Sequence, residues 1–236
     1  MCSLKKLFLV SVLFGLSMSA YATPTLQVHG VGSVAGSISN DDDTWFLSGA
    51  TGQLELIATF GSADMKIENA FLVLTTSAIN NNPFAGSTKY DSAAAFEATL
   101  SGTVQTNNHS PYGLGASQID TFAYSLGDFT YNAGTATKDC NADIAGTTTC
   151  AASAGTGDIK MFAYDYSALA LDWVHFDMLA YVTDEKGNSG KWVSTWEINP
   201  GSHDTTWKRT SVPETSSLLL LMVGLFGLVG FKRKSS

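Results

Sequence analysis

The sequence predicts an all-β fold, an antiparallel β-sandwich of jelly-roll type, flanked by an N-terminal signal peptide and a single C-terminal transmembrane helix. Three observations carry this expectation. Short apolar or alternating segments recur along the chain, separated by connectors rich in Gly, Asn, Ser and Asp. Between the two ends, no long stretch keeps a capped helical period. Each end has an apolar run of its own beside basic residues. Many short strands joined by turn-rich connections are the pattern of two packed sheets.

The first 22 residues read as a signal peptide. Lys5 and Lys6 supply the charged start, Leu7 to Ser19 the apolar stretch, and Ala20-Tyr21-Ala22 an A-x-A cleavage site for signal peptidase. Cys2 precedes the apolar stretch and goes with it. Residues 23–210 then form one domain, long enough for a single well-buried core. It holds 20 acidic and eight basic residues, a net charge near −12. That balance argues against nucleic acid or anionic lipid as a partner, because both need a basic surface. It favours solubility and permits divalent cations.

Within the domain the expected strands follow in order. Asp41, Asp42 and Asp43 form an acidic turn before a strand around Trp45. Gln53–Phe60 and Asn69–Thr76 are strands, the second almost continuously apolar as a core strand should be. Ala94–Val104 is expected as a strand with Phe96, Ala98 and Leu100 on one face. Phe122–Leu126 and Ile159–Tyr166 follow. Trp173–Val182 alternates most cleanly, with Val174, Phe176, Met178, Ala180 and Val182 on one face and Trp173, His175, Asp177, Leu179 and Tyr181 on the other. The segment Asp184–Gly190 is a turn by composition, and Trp192–Ile198 returns as the second strand of a hairpin. Gly134–Gly157 reads as a loop stapled by a disulfide between Cys140 and Cys150, the two cysteines beyond the signal peptide. An oxidising compartment favours that pairing. Closing so short a loop stabilises by roughly 2–3 kcal/mol on a chain-entropy model.

The chain lacks G-x-S-x-G, H-E-x-x-H and P-loop patterns, and no carboxylate spacing singles out an acid–base pair. No cofactor is expected. Asp41, Asp42 and Asp43 could take calcium, which prefers carboxylate and carbonyl oxygen, or simply form a solvated turn. His175 and Asp177 share a strand face, and His203 and Asp204 follow the hairpin. The four could meet and bind a transition metal, or a hydrogen-bonded His–Asp pair could lock the sheet end. Trp192 and Trp196 lie about 13 Å apart on one strand face. They suit either sugar stacking or core packing.

The C-terminal segment 211–236 is the most informative stretch. Val212, Pro213 and Glu214 precede a run from Ser216 to Phe231, about 24 Å long as a helix. That is short against a hydrocarbon core of about 30 Å, and flanking serines and long basic side chains extend it. Lys232, Arg233 and Lys234 abut its far end and fix that end in the cytoplasm.

These residues carry a family resemblance. The order of Val212-Pro213-Glu214, a short Leu- and Gly-rich span and a terminal basic cluster resembles the PEP-CTERM sorting domain of Gram-negative bacteria. Thr215 stands where that family usually has a second proline, in V-P-E-P. The resemblance implies processing by exosortase, a membrane-embedded cysteine transpeptidase. It further implies a precursor anchored in the inner membrane and a product at the cell surface or in the extracellular matrix. A second resemblance spans most of the domain through scattered motifs: D-T-W-F-L-S-G at Asp43–Gly49, Y-S-L-G-D-F at Tyr124–Phe129, W-V-H-F-D at Trp173–Asp177 and N-P-G-S-H-D at Asn199–Asp204. Together these are similar to the choice-of-anchor N type of bacterial surface protein, a group that implies no catalytic residues. The expected role is a non-enzymatic surface or matrix protein in an exopolysaccharide or biofilm setting. The alternatives are a glycan-binding module using Trp192 and Trp196, with exopolysaccharide as ligand, and a sandwich-fold glycosidase.

Overall fold

The computed structural model describes residues 25–39, 42–77, 79, 81–105, 119–142, 146–186 and 189–209. The signal-peptide site at Ala20 and Ala22, the Val212-Pro213-Glu214 motif, the apolar run after it and Lys232, Arg233 and Lys234 lie outside the described residues. Among the described residues, no helix is long and apolar enough to cross a membrane.

Among the described residues, thirteen strands form two sheets. They are β1 (Leu26–Gly30), β2 (Val34–Ser39), β3 (Asp42–Leu47), β4 (Thr51–Phe60), β5 (Lys66–Ser77), β6 (Thr88–Tyr90), β7 (Val104–Gln105), β8 (Ile119–Phe129), β9 (Ala136–Asp139), β10 (Ala151–Asp165), β11 (Trp173–Glu185), β12 (Trp192–Ile198) and β13 (Thr205–Lys208). The smaller sheet runs β1-β4-β10-β9 and is antiparallel throughout. The larger runs β2-β3-β13-β11-β5-β8-β6, with β12 on β11 and β7 on β12. The β3–β13 and β7–β12 pairs are parallel. The all-β, two-sheet architecture is as the sequence predicts.

The main core lies between the sheets. Leu26, Val28, Leu54, Leu56, Ala58 and Phe60 come from the smaller sheet; Ile67, Leu72, Leu74, Phe122, Val174, Phe176, Met178, Ala180 and Val182 come from the larger. Alternation along β11 sends its apolar residues inward, as expected. Full burial of each Val, Leu, Ile, Phe or Met side chain here stabilises by about 1.5–3 kcal/mol. A second cluster covers the outer face of the larger sheet, with Val73, Phe96, Ala123, Leu179, Trp196 and Ile198. A third, with Ala35, Trp45, Ile57, Cys140 and Ala142, joins the disulfide region to both sheets.

Three expectations are corrected. The Ala94–Val104 segment is not a strand: Ala93–Glu97 forms a short helix, α1, and only Val104–Gln105 is extended. Ser92 Oγ accepts the Ala95 N–H at 3.1 Å and caps it, and three successive alanines favour the helix. The face shared by Phe96 and Leu100 still packs, but as one side of a helical turn against the second cluster. The Gly134–Gly157 region is not all loop. It contains β9 and the start of β10, which pair with each other. Ladder hydrogen bonds and neighbouring strands supply what its low apolar content does not. Asp42 and Asp43 lie within β3 rather than in a turn ahead of it, and Asp43 pairs with Ser37 of β2. Asp41 lies outside the described residues.

Candidate metal centre

One edge of β11 changes partner part-way along. Trp173–Phe176 pair with β13, and Leu179–Glu185 pair with β12. Asp177 and Met178 face the gap, where the chain leaves β12 at Ile198 and re-enters as β13 at Thr205. A 3-10 turn at Gly201–His203 fills the interval. Asn199 closes the backbone there. Its N–H donates to Met178 O at 3.1 Å, and its Oδ1 accepts the Met178 N–H at 2.5 Å. The β11 ladder therefore stays satisfied across the break.

Three ionisable side chains converge at this gap on the outer face of the larger sheet. His175 and Asp177 project from β11, two residues apart and so to one side. Asp204 stands one residue before β13 in extended backbone, with φ −108° and ψ 177°, held by the Trp45 N–H donating to its carbonyl at 3.2 Å. His175 Nε2 lies 3.4 Å from Asp177 Oδ2 and 3.5 Å from Asp204 Oδ2. One donor atom from each residue fits within 4.8 Å of the other two. All three are buried, at 2 %, 0 % and 0 % exposure.

The surroundings orient them. Thr206 sits directly opposite His175 on β13, and its Oγ1 is 2.8 Å from His175 Nδ1. Thr44 Oγ1 is 3.2 Å beyond. On the other flank Thr75 of β5 is opposite His175, and Thr121 of β8 is opposite Thr75. Buried hydroxyls from four strands, β3, β13, β5 and β8, thus flank the ring on β11. Asn199 Nδ2 donates to Asp177 Oδ1 at 3.4 Å and to Pro200 O at 3.2 Å.

Electrostatically the centre is loaded. Two ionised carboxylates at this spacing repel by about 3.5 kcal/mol at an effective dielectric of 20, and each resists removal from water. The imidazole nitrogen stands between the two carboxylates. With no exposed atom to offer a substrate, the arrangement suits charge pairing or holding an ion.

The sequence brings His203 to the same place, and here the structure differs. His203 turns away, its Nε2 3.0 Å from Asp139 Oδ1 and its Nδ1 2.9 Å from Ser202 Oγ. The 3-10 turn rotates it toward the β9 end of the smaller sheet while Asp204 faces β11.

The remaining candidates are dispersed. Trp192 is 43 % exposed and Trp196 only 6 %. Trp196 donates from Nε1 to Ser101 O at 3.0 Å and packs on Tyr181 at a ring distance of 5.3 Å. The two tryptophans therefore form no open platform, because the ring that a sugar would need is part of the second cluster. Cys140 and Cys150 are disulfide-bonded, with an S–S distance of 2.06 Å. Gln27 Oε1 accepts the Cys140 N–H at 2.8 Å, and Trp45 Nε1 donates to Cys140 O at 2.7 Å. His29 lies within 4.8 Å of both sulfurs, but a disulfide offers no thiolate to a metal. Burial pushes the His29 ring below its ordinary pKa and outweighs the attraction of Glu55. The ring is neutral at pH 7, and the 2.9 Å contact with Glu55 Oε2 is a hydrogen bond donated by Nδ1–H.

His175 and Asp177 were visible in the sequence as same-face neighbours. Thr206, Thr44 and Asn199 were not, because β13 is four residues long and its partners are remote in sequence. No family model matches the chain, and no curated protein matches it.

Proposed function

We propose that this chain is an exported, non-enzymatic surface or matrix protein whose β-sandwich is delivered by its C-terminal tail. The observation that carries the proposal is the three-part order at residues 212–234: the V-P-E motif, the short apolar span and the basic end. The disulfide supports it, since such bonds persist in oxidising compartments outside the cytoplasm. So does the position of the motif, which starts four residues after β13 ends at Lys208. In this reading residues 1–22 are removed by signal peptidase and a jelly-roll-like sandwich folds outside the inner membrane. The tail then holds the precursor until an exosortase-type transpeptidase acts on it. The product reaches the cell surface or an exopolysaccharide-rich matrix.

In this reading Pro213, which fixes its own φ and disfavours helix at the residue before it, favours the extended form a transpeptidase threads, and the Glu214 carboxylate, which resists burial, favours the outer interface. Pro213→Ala and Glu214→Gln in an exosortase-bearing host should leave export intact and accumulate a longer, inner-membrane-bound form. Intact-mass measurement of the parent should show both ends cut. If both variants are processed and released like the parent, the tail is a plain anchor and the proposal fails.

A further inference from the structure

We propose that His175, Asp177 and Asp204 hold a divalent transition-metal ion of the zinc class, a buried tie between β11 and the start of β13. This goes beyond the sorting role and does not depend on it.

The donor set selects the ion. One imidazole nitrogen with two carboxylate oxygens suits first-row transition metals, whereas calcium and magnesium take oxygen ligands. The spacing agrees. Bonds of about 2.1 Å in tetrahedral geometry place neighbouring donor atoms about 3.4 Å apart. The two edges from His175 Nε2 are 3.4 Å and 3.5 Å. A charge-assisted His–Asp hydrogen bond would draw the same atoms to about 2.7–2.9 Å.

The second layer is built for it as well. Metal-bound imidazoles characteristically donate their other N–H to a neighbouring acceptor, which fixes the tautomer. Thr206 Oγ1 lies 2.8 Å from Nδ1. With the proton on Nδ1, the Nε2 lone pair points toward the two carboxylates, so that three donor atoms converge. Asn199 steadies the far oxygen of Asp177.

The position gives the ion a task. Only four residues of β13 hold the place between β11 and β3, and Asp204 is the residue at which the chain re-enters the sheet. Tying that residue to two side chains of the central strand clamps the re-entry point. Burial of all three ligands makes the ion structural rather than catalytic.

The test uses the full-length chain, purified in detergent without chelator. Elemental analysis should find close to one equivalent of transition metal. Stripping should lower the melting temperature, and added zinc should restore it with a logarithmic dependence on concentration above the dissociation constant. Calcium at the same concentrations should not. Asp204→Asn should lose the zinc response while remaining as stable as the stripped parent, because one of two repelling charges is gone. His175→Gln should lose it too. Should either variant fail to fold, cobalt loaded into the stripped parent gives a second readout: intense visible absorption of a tetrahedral site supports the proposal. A chain purified without metal, with a melting temperature indifferent to zinc, overturns it. So does a zinc response that survives in both variants, or a weak octahedral cobalt spectrum.

Discussion

Gly157 shows how a single position can be set by a neighbour far away in sequence. It lies in β10 opposite Thr59 of β4. A Cβ placed there would sit 2.1 Å from Thr137 Cγ2 and 2.2 Å from Ala58 O. The threonine could turn aside, but the carbonyl is backbone and part of the ladder. Gly157→Ala should therefore destabilise the domain by roughly 1–3 kcal/mol, the cost of overpacking a well-filled site. Urea denaturation should show a lower midpoint with an unchanged slope; an unchanged midpoint would mean that β10 can shift to make room. Nothing in the local sequence marks this glycine apart from the others, since its constraint comes from two other strands.

At the scale of elements, the segment between β9 and β10 does more than its composition promises. The Cys140–Cys150 bond closes it, and the closed segment then bridges the sheets. Ala142 N–H donates to Ser202 O at 2.7 Å, Ala35 N–H to Thr147 O at 2.8 Å and Gly146 N–H to Ala35 O at 2.8 Å. Cys140 is fully buried beside Trp45 and Ile57. Replacing both cysteines by serine should cost the roughly 2–3 kcal/mol of loop-closure entropy plus a penalty for a hydroxyl at the buried position. A double Ala variant separates the two contributions. Thermal melts of the three proteins should order as parent, Ala pair, Ser pair; coincident melts would mean that the segment folds without its bond. The short helix α1 makes a related point. A strand was expected because apolar residues alternate there, yet Ser92 and three alanines satisfy the local backbone first.

For the whole molecule, three of the described groups shape the pH dependence of stability. Burial holds the His29 ring below its ordinary pKa near 6.5, so the unfolded chain takes up a proton that the folded one refuses. Stability from this group is present above that pH and is lost as pH falls through it. Burial pushes Glu55 up, but the Lys138 ammonium, 2.6 Å from Oε1, and the His29 ring pull it net below its ordinary value near 4.5. Its contribution is lost as pH falls below that range. Glu197 runs the other way: burial and the nearby Asp184 raise its carboxyl, so stability from it is present at low pH and lost as pH rises above its ordinary value. The domain should weaken in two steps on acidification, the first near pH 6.5 and the second below 4.5. His29→Gln should remove the first step and leave the second. A melting-temperature curve for His29→Gln that still falls between pH 7 and 5.5 would assign that step elsewhere.

The sequence alone determined the fold class, β5 as a core strand, the two faces of β11, the hairpin of β11 and β12, and the disulfide. Each depends on patterns within one segment or on a pair of residues with no competitor. It also marked the two ends, whose reading rests on local composition and order. Tertiary structure alone decided which polar residues meet. His175 and Asp177 share a face by strand period, but Asp204 joins them because β11 exchanges β13 for β12 at Asp177 and Met178. A 3-10 turn of three residues then sends His203 away and Asp204 in. Trp192 and Trp196 have the same period on one strand, yet one is exposed and the other buried, since Phe71, Ser101 and Tyr181 reach only the second. Periodicity states the side on which a residue lies; only the packing of remote strands states what waits there.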